Sequence, residues 1–281
     1  MTAPGHAPLT ASDASGRVTV EMTDHVAVVT FARPDKRNAL DGAQFAAIAA
    51  AGEMIKRLEG VRAVVVHGEG ASFCAGLDFS GFESMMGGTT GGSESGNPGR
   101  LTESGLTHLG QQVCWVWQEI EVPVIAAVHG HALGGGLQIA LGADVRIAHP
   151  DTQLSVREVH WGIIPDMTGT LTLSLLVRPD VARELTYTAR VLDAREGHTL
   201  GLVTRLADDP LADAMAMAHE IAGRNPHAIR AAKRLLSGEF HRMAAAQFAA
   251  ERDEVFALIG TPNQVEVIMA NMEKRPAILS D

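Results

Sequence analysis

Three consecutive glycines, at positions 134–136, stand inside the apolar stretch GHALGGGLQIALGADV, residues 130–145. The stretch has the pattern of a strand, a tight turn and a helix that begins at or near Gly135. N–H groups at a helix start have no acceptor within the helix, and glycine leaves them uncovered. The pattern therefore favours an oxyanion hole, which stabilises negative charge on a substrate oxygen. The alternative is that the glycines only let the helix pack closely on the strand.

A second glycine-rich turn offers a second donor. Residues 68–79, GEGASFCAGLDF, follow the β-branched run AVVVH and place Cys74, Ala75 and Gly76 shortly before Asp78, a predicted helix N-cap. Neither turn matches a phosphate-binding P-loop, a dinucleotide fingerprint or a nucleophile elbow. Cys74 has no base beside it in the sequence, so we expect a buried, neutral thiol.

These two turns, together with ARPDKRNAL at residues 32–40, resemble the crotonase superfamily, also called the enoyl-CoA hydratase/isomerase family, whose members bind acyl-CoA thioesters. The resemblance extends from about residue 18 to residue 276. It implies that Ala75 and Gly135 each give a backbone N–H to the thioester oxygen. It also implies that CoA is bound, largely by backbone, around Lys36, Asn38, Ala39 and Leu40. The basic side chains of this segment could equally be solvated charges at the end of a strand.

Proton transfer is where the sequence departs from the hydratases that it resembles. In those enzymes two glutamates activate a water molecule. This chain has Gln138 at the position of the first glutamate, and Glu158 matches the second. An amide cannot accept a proton near neutral pH. Asp166, eight residues after Glu158, gives a pairing that resembles the dienoyl-CoA isomerase branch, although that branch also has an acid at position 138.

The resemblance therefore favours double-bond isomerisation through an enolate, with Glu158 and Asp166 as the catalytic acids. Hydration is the second hypothesis, and a non-catalytic acyl-CoA-binding protein is the third. Two structural alternatives remain open for the acids. Glu158 could pair with Arg157 or His160, and Asp166 could cap a helix.

The elements that must position these residues follow an α/β pattern. VTVEM and HVAVVTF predict a β-hairpin, residues 41–58 predict a helix capped by Asp41, and residues 63–67 predict a parallel strand. A helix at 108–120, the strand VPVIAAV and the strand VRIA repeat the pattern, and amphipathic helices dominate after residue 171. We expect a flexible leader at 1–16, a core at 17–205 and a helical region at 206–281. Residues 85–100, rich in Gly, Ser and Thr, are either a mobile lid or disordered.

The resemblance implies a crotonase-like spiral of β-β-α repeats with a C-terminal helical region that builds homotrimers or hexamers. The composition limits the classes of binding partner that we expect for this protein. The 281 residues carry a net charge of −10, which argues against nucleic-acid binding, and the longest aliphatic run is too short for a membrane span. Two distant cysteines and isolated histidines such as His129 and His131 predict no metal site. We expect a cytoplasmic protein without a separate cofactor, since coenzyme A is part of the substrate.

Overall fold

The computed structural model of the protein describes residues 9–12, 16–91 and 96–280. The strands are β1 (Leu9–Ser12), β2 (Val18–Thr23), β3 (Val26–Phe31), β4 (Ala63–Gly68), β5 (Val124–Val128), β6 (His131–Leu133), β7 (Val145–Ala148), β8 (Gln153–Ser155), β9 (Leu192–Asp193) and β10 (Arg205–Leu206). The helices are α1 (Gly42–Arg57), α2 (Phe79–Met86), α3 (Leu109–Glu119), α4 (Gly135–Gly142), α5 (Gly169–Leu176), α6 (Pro179–Thr188), α7 (Ala194–Leu200), α8 (Pro210–Ala222), α9 (Pro226–Leu236), α10 (Gly238–Leu258) and α11 (Pro262–Glu273). Short 3-10 helices span Pro34–Lys36 and Glu158–Trp161.

The larger sheet has the strand order β1-β2-β3-β4-β5-β7-β10. The predicted hairpin is confirmed, since β2 and β3 pair antiparallel from Val18↔Phe31 to Thr23↔Val26. From β3 to β10 the strands of this sheet are parallel, as the predicted β-α-β repeats require. The carboxyl ends of these strands lie at one edge, where the glycine-rich turns begin.

Both faces of the parallel strands are covered by helices, which explains the unbroken β-branched run in β4. Val64 and Val66 belong to the main core cluster with helices α1, α3 and α4. Ala63 and Val65 face the other way and pack on α8 through its alanines. Alternating side chains of a strand point to opposite faces, so a strand buried on both sides needs apolar residues at every position.

A smaller sheet has the order β6-β8-β9, and its strand β6 leads directly into the glycine triplet. Isolated parallel bridges extend the strand pairing beyond the two sheets: Cys74 pairs with Ala132 of β6, and Leu40 pairs with Leu77. These bridges bring the segments at 32–40, at 68–79 and at the glycine triplet together. The sequence places these segments near strand ends, and the bridges set their mutual register.

The helical predictions hold, with small shifts at the boundaries. Asp41 caps α1 by accepting a hydrogen bond from the Gln44 N–H at 2.9 Å, and the elements that follow β10 in the described chain are helices, the last of which ends at Glu273. Residues 9–12, predicted to be part of a flexible leader, instead pair with β2 as a strand. The rest of that leader before Gly16, and positions 92–95 of the predicted lid, lie outside the described residues. No helix in the described ranges combines the length and the apolar character that crossing a bilayer requires.

Candidate active site

A cavity of about 550 Å³ opens where α4, the second 3-10 helix and the C-terminal helices meet. Most of its wall is apolar: Leu40, Phe45, Leu77, Phe79, Phe82, Met85, Trp161, Ile163, Met167, Val255, Phe256 and Ile259. The polar residues that line it include Glu158, Asp166 and His108, and also Lys36, Arg37 and Arg157. An apolar chamber with a small number of converging polar groups is the usual form of a small-molecule site.

One backbone donor comes from the glycine triplet. Helix α4 begins at Gly135, after Gly134 has taken the left-handed φ of 51° as N-cap. Gly135 lines the cavity, and its N–H has no acceptor among the described residues. A Cβ on Gly135 would come within 2.9 Å of side chains of Leu40 and Met167, and one on Gly136 within 2.2 Å of the Cys74 carbonyl oxygen. Both sequence interpretations therefore hold: the glycines pack closely and leave an N–H open to the cavity.

At the second glycine-rich turn, the backbone N–H that is free is not the predicted one. The N–H of Ala75 donates to the Arg37 carbonyl at 3.0 Å, so the prediction that Ala75 gives its N–H to a substrate oxygen is wrong. Two residues later, the bridge between Leu40 and Leu77 uses the Gly76 carbonyl and the Asp78 N–H, at 2.8 and 2.9 Å. In such a parallel bridge one residue, here Leu40, uses its own N–H and carbonyl. The N–H of the residue opposite, Leu77, points away from this partner segment. Within the described chain, the Leu77 N–H thus remains without an acceptor, at a residue that lines the cavity.

Gln138 is a buried clamp on α4. Its Oε1 accepts hydrogen bonds from the N–H groups of Met167 and Gly169, each at 2.9 Å, and its Nε2 donates to Glu158 Oε1 at 2.5 Å. The two backbone donors fix which end of the amide is oxygen. Gln138 does not itself line the cavity. It connects the turn that carries Asp166 to the carboxylate of Glu158.

Glu158 begins the second 3-10 helix and is buried, with 6% of its surface exposed. Its Oε2 has no hydrogen-bond partner in the described chain, and the residue lines the cavity. Burial raises the pKa of Glu158 to about 7, against the opposing effect of the Gln138 hydrogen bond, which favours the ionised form. The alternative ion pair is absent from the described residues, since the Arg157 guanidinium donates to the Ala189 carbonyl.

Asp166 is half-buried and also lines the cavity. Burial, and then the negative charges of Glu158 and Glu251, raise the pKa of Asp166 to about 8. It does not cap a helix, because α5 begins at Gly169 with Thr168 as its N-cap residue. Buried Glu251 of α10 accepts from the N–H groups of Thr168 and Thr170, at 2.9 and 3.0 Å. The structure therefore brings the two predicted acids to one cavity, and both have pKa values close to neutral pH.

The predicted CoA segment reaches the same cavity, with one exception. Lys36, Ala39 and Leu40 line it, and the Lys36 side chain is exposed. The Asn38 side chain is fully buried; its Oδ1 accepts from the Arg33 N–H, and its Nδ2 donates to the carbonyls of Glu69 and Ser72. Asn38 thus holds the turn in shape, and its side chain is not available to a ligand.

Sequence reasoning missed two polar groups at cavity residues, the backbone N–H of Leu77 and the imidazole of His108. A leucine shows no chemical signal, since only its N–H matters, and the strand bridge that frees this N–H joins segments distant in sequence. His108 was recognised only as the start of a helix. The expectation of inert thiols is confirmed: Cys74 and Cys114 are free and buried, and burial raises the pKa of Cys74 to about 12.

The chain matches the family described as enoyl-CoA hydratase/isomerase over residues 21–281. It is 32% identical to the short-chain-enoyl-CoA hydratase of Clostridium acetobutylicum, over 92% of this chain and 95% of that protein. It is 30% identical to the crotonyl-CoA hydratase of Syntrophomonas wolfei, over 92% and 96%. An enoyl-CoA hydratase/isomerase structure from Pseudoalteromonas atlantica superposes with a TM-score of 0.82 at 27% identity, covering 94% of this chain and all of that one. A carnitinyl-CoA hydratase structure from Mycobacterium avium gives a TM-score of 0.79 at 30% identity, with 94% and 98% covered. The predicted crotonase-like fold class is confirmed.

Proposed function

Because this chain belongs to the enoyl-CoA hydratase/isomerase family and is an enzyme that acts on acyl-CoA thioesters, we propose that it moves a carbon–carbon double bond along an unsaturated acyl chain. The observation that carries the proposal is the pair of cavity carboxyl groups, Glu158 and Asp166, with pKa values raised to about 7 and about 8. Two groups that titrate near the working pH can exchange roles as base and acid.

We assign the two roles from one hydrogen bond and from the order of the two pKa values. Gln138 donates to Glu158 and so favours its carboxylate, whereas Asp166 has the higher pKa and keeps its proton longer. Glu158 removes a proton from a carbon of the acyl chain, and the electron pair moves into the thioester to form an enolate. Asp166 then gives its proton to a carbon further along the chain, which completes the shift of the double bond. One proton is taken and one is given, so the substrate's composition is unchanged.

The enolate oxygen accepts hydrogen bonds from the N–H groups of Leu77 and Gly135. Removal of one donor from such a site typically costs about 3 kcal/mol in the transition state. The rest of the thioester lies along the segment of Lys36, Ala39 and Leu40, with the cationic side chains of Lys36 and Arg37 toward the CoA phosphates. Coenzyme A enters as part of the substrate, and the reaction as written needs no metal or second cofactor.

Hydration is the second candidate, because relatives at 30–32% identity are named hydratases. In that reaction Glu158 would activate a water without a second glutamate. Gln138 offers little help, since both ends of its amide are occupied and it stands behind Glu158. Isomerisation uses the two carboxyl groups, Glu158 and Asp166, that line this cavity, whereas the two-glutamate hydration mechanism needs an acid at position 138, where this chain has Gln138.

The test incubates enoyl- and dienoyl-CoA thioesters, with double bonds at different carbons, in heavy water. Double-bond position, deuterium uptake and hydroxyacyl product are measured together. We expect Glu158→Gln to abolish isomerisation and Asp166→Asn to reduce it by about two to four powers of ten. Exposed acids of α10 provide matched controls, Glu254→Gln and Asp253→Asn, which should match wild type. Efficient hydration by wild type together with a fully active Asp166→Asn variant would reject the mechanism.

The assembly belongs to the same proposal: a homotrimer or a dimer of trimers, built by the C-terminal helices. Leu235 and Leu236 at the end of α9 are 82% and 86% exposed, and Met269 and Met272 of α11 are about two-fifths exposed. Apolar side chains this exposed favour a protein partner. Ile268, the residue before Met269, is buried within the protomer in a cluster with Phe82. Light scattering tests the assembly, and a monomer would contradict it.

A further inference from the structure

His108 is a cavity residue with one ring nitrogen that lacks a hydrogen bond within the described residues. The residue precedes α3, is 2% exposed and lines the cavity, where its ring lies near Phe256 and the backbone of Asp166. No group in the described part of the chain makes a hydrogen bond with its Nε2, although the backbone carbonyl of Asp166 lies close enough to the ring to raise its pKa. A buried polar group left unpaired is destabilising, so such an atom at the wall of a binding chamber points to a partner that the chain does not provide.

The other ring nitrogen fixes the hydrogen-bonding character of this atom. Nδ1 of His108 accepts a hydrogen bond from the Gln111 N–H at 3.2 Å, while the Gln111 side chain accepts from the His108 N–H, which completes a capping box. A neutral imidazole that accepts at Nδ1 carries its proton on Nε2. The helix cap therefore makes Nε2 a donor and prevents it from acting as a base.

The ring's surroundings keep it neutral. Burial and then the positive charge of Arg252 lower the pKa of His108 to about 4, although the backbone carbonyls of Pro98 and Asp166 favour the protonated ring. The group thus presents a single N–H over the whole working range of pH. Its complement is an uncharged or anionic oxygen.

We propose that His108 Nε2–H recognises an oxygen substituent on the acyl chain, so that this enzyme prefers acyl-CoA thioesters that carry a hydroxyl or keto group. The inference rests on the proposed function for the orientation of the substrate. The thioester oxygen lies at the Leu77 and Gly135 donors, and Asp166 reaches a carbon further out. His108 lines the wall beside Asp166, so the oxygen belongs at or beyond that carbon.

The wall around the ring strengthens this inference. Phe256, Val255 and Met167 are apolar, and a plain hydrocarbon chain would fill their share of the cavity while leaving the N–H unpaired. A site built to hydrogen-bond a substrate group rejects the analogue that lacks it far more strongly than an apolar pocket rejects an extra group. His108 therefore acts as a specificity-determining residue.

Two substitutions separate the cap from the donor. His108→Asn places an amide oxygen near the position of Nδ1, keeps a preferred N-cap residue and withdraws the donor from the cavity. His108→Gln places an amide N–H near the position of Nε2 and weakens the cap. His227→Asn, at an exposed histidine of α9, is the matched control.

The readout is calorimetric binding of saturated acyl-CoA thioesters, which cannot be isomerised, in pairs of equal length with and without a hydroxyl at successive carbons. Wild type and His227→Asn should bind one hydroxylated isomer about ten- to a hundredfold more tightly than its plain partner. His108→Asn should bind the two equally, and His108→Gln should recover part of the difference.

Equal binding of both members of every pair by wild type would overturn the inference. So would a His108→Asn variant that keeps the preference but turns over all unsaturated substrates more slowly, because the ring would then act on Asp166. These binding results do not depend on the double-bond shift. Loss of the proposed isomerase activity in the heavy-water assay would therefore be recognised separately.

Discussion

Replacing Gln138 tests whether the buried amide is the clamp of the catalytic acids. Gln138→Leu keeps the approximate volume but leaves the N–H groups of Met167 and Gly169 without their acceptor. At about 1–3 kcal/mol for each buried donor, the free energy of unfolding should fall by about 2–6 kcal/mol. Glu158 also loses the hydrogen bond that favours its carboxylate, so its pKa should rise further.

Gln138→Glu separates these effects, because one carboxylate oxygen can still accept from both N–H groups. The other oxygen would lie against Glu158, where Gln138 Nε2 stands 2.5 Å from Oε1. Two negative charges about 4 Å apart repel by roughly 4 kcal/mol at an effective dielectric constant of 20, equivalent to about 3 pKa units. The pair should therefore hold one proton at pH 7, which reproduces the donor and the charge of the wild-type pair.

The assay is denaturant unfolding at pH 7 combined with kcat/KM for isomerisation. We expect Gln138→Glu to remain within about 1 kcal/mol of wild type and within about tenfold in rate, while Gln138→Leu loses both stability and activity. Gln153→Leu, at an exposed glutamine of β8, is the control for the substitution itself. If Gln138→Leu is as stable as wild type, or if Gln138→Glu is the more damaged variant, the clamp interpretation is refuted.

Three further predictions follow from the same geometry. The kcat/KM profile should be bell-shaped, rising through about pH 7 as Glu158 ionises and falling through about pH 8 as Asp166 does; Asp166→Asn should lose the falling limb, and a flat profile in wild type would contradict the assignment. The folded-state pKa of Asp166 is raised from 3.8 to about 8, so the folded protein binds an extra proton and the stability of wild type falls as pH rises between these two values. In unfolding experiments at pH 5 and pH 8.5, the stability of Asp166→Asn relative to wild type should therefore be greater at the higher pH, and a constant difference would refute this. Gly136→Ala should fold poorly or lose several kcal/mol, because its Cβ would lie 2.2 Å from the Cys74 carbonyl oxygen, and thermal melting that matches wild type would show that the helix can shift.

The parts of this molecule that could be predicted from sequence are those fixed by local chemistry. Hydrophobic alternation and turn residues determine the hairpin, the capped α1 and the parallel strands, and the two acids follow from a strong family resemblance. The register between distant segments has no such signal. One residue pairing, Leu40 with Leu77, decides that the N–H of Leu77 rather than Ala75 is free.

The same limitation applies to Gln138 and His108. An amide in place of an acid indicates lost chemistry when read along the sequence, but three hydrogen bonds define its structural role, two that it accepts from distant N–H groups and one that it donates to Glu158. Histidine is not among the preferred helix caps, so its capping role, and therefore the state of its second nitrogen, becomes visible only when α3 is seen beside the cavity. The roles of Gln138 and His108 therefore become visible only when the positions of their hydrogen-bond partners are known.

The attachment of Glu251 to the turn after Asp166 also has a consequence for synthesis of the chain. Thr168 and Thr170 leave the ribosome 83 and 81 residues before the carboxylate that binds their N–H groups. At about 5–20 residues per second, this interval lasts roughly 4–16 s. During that time a nascent chain can contain both catalytic acids while the turn of Asp166 still lacks its anchor. We therefore expect the enzyme to mature late, and nascent chains stalled before α10 to bind CoA thioesters poorly even after their parallel strands have formed.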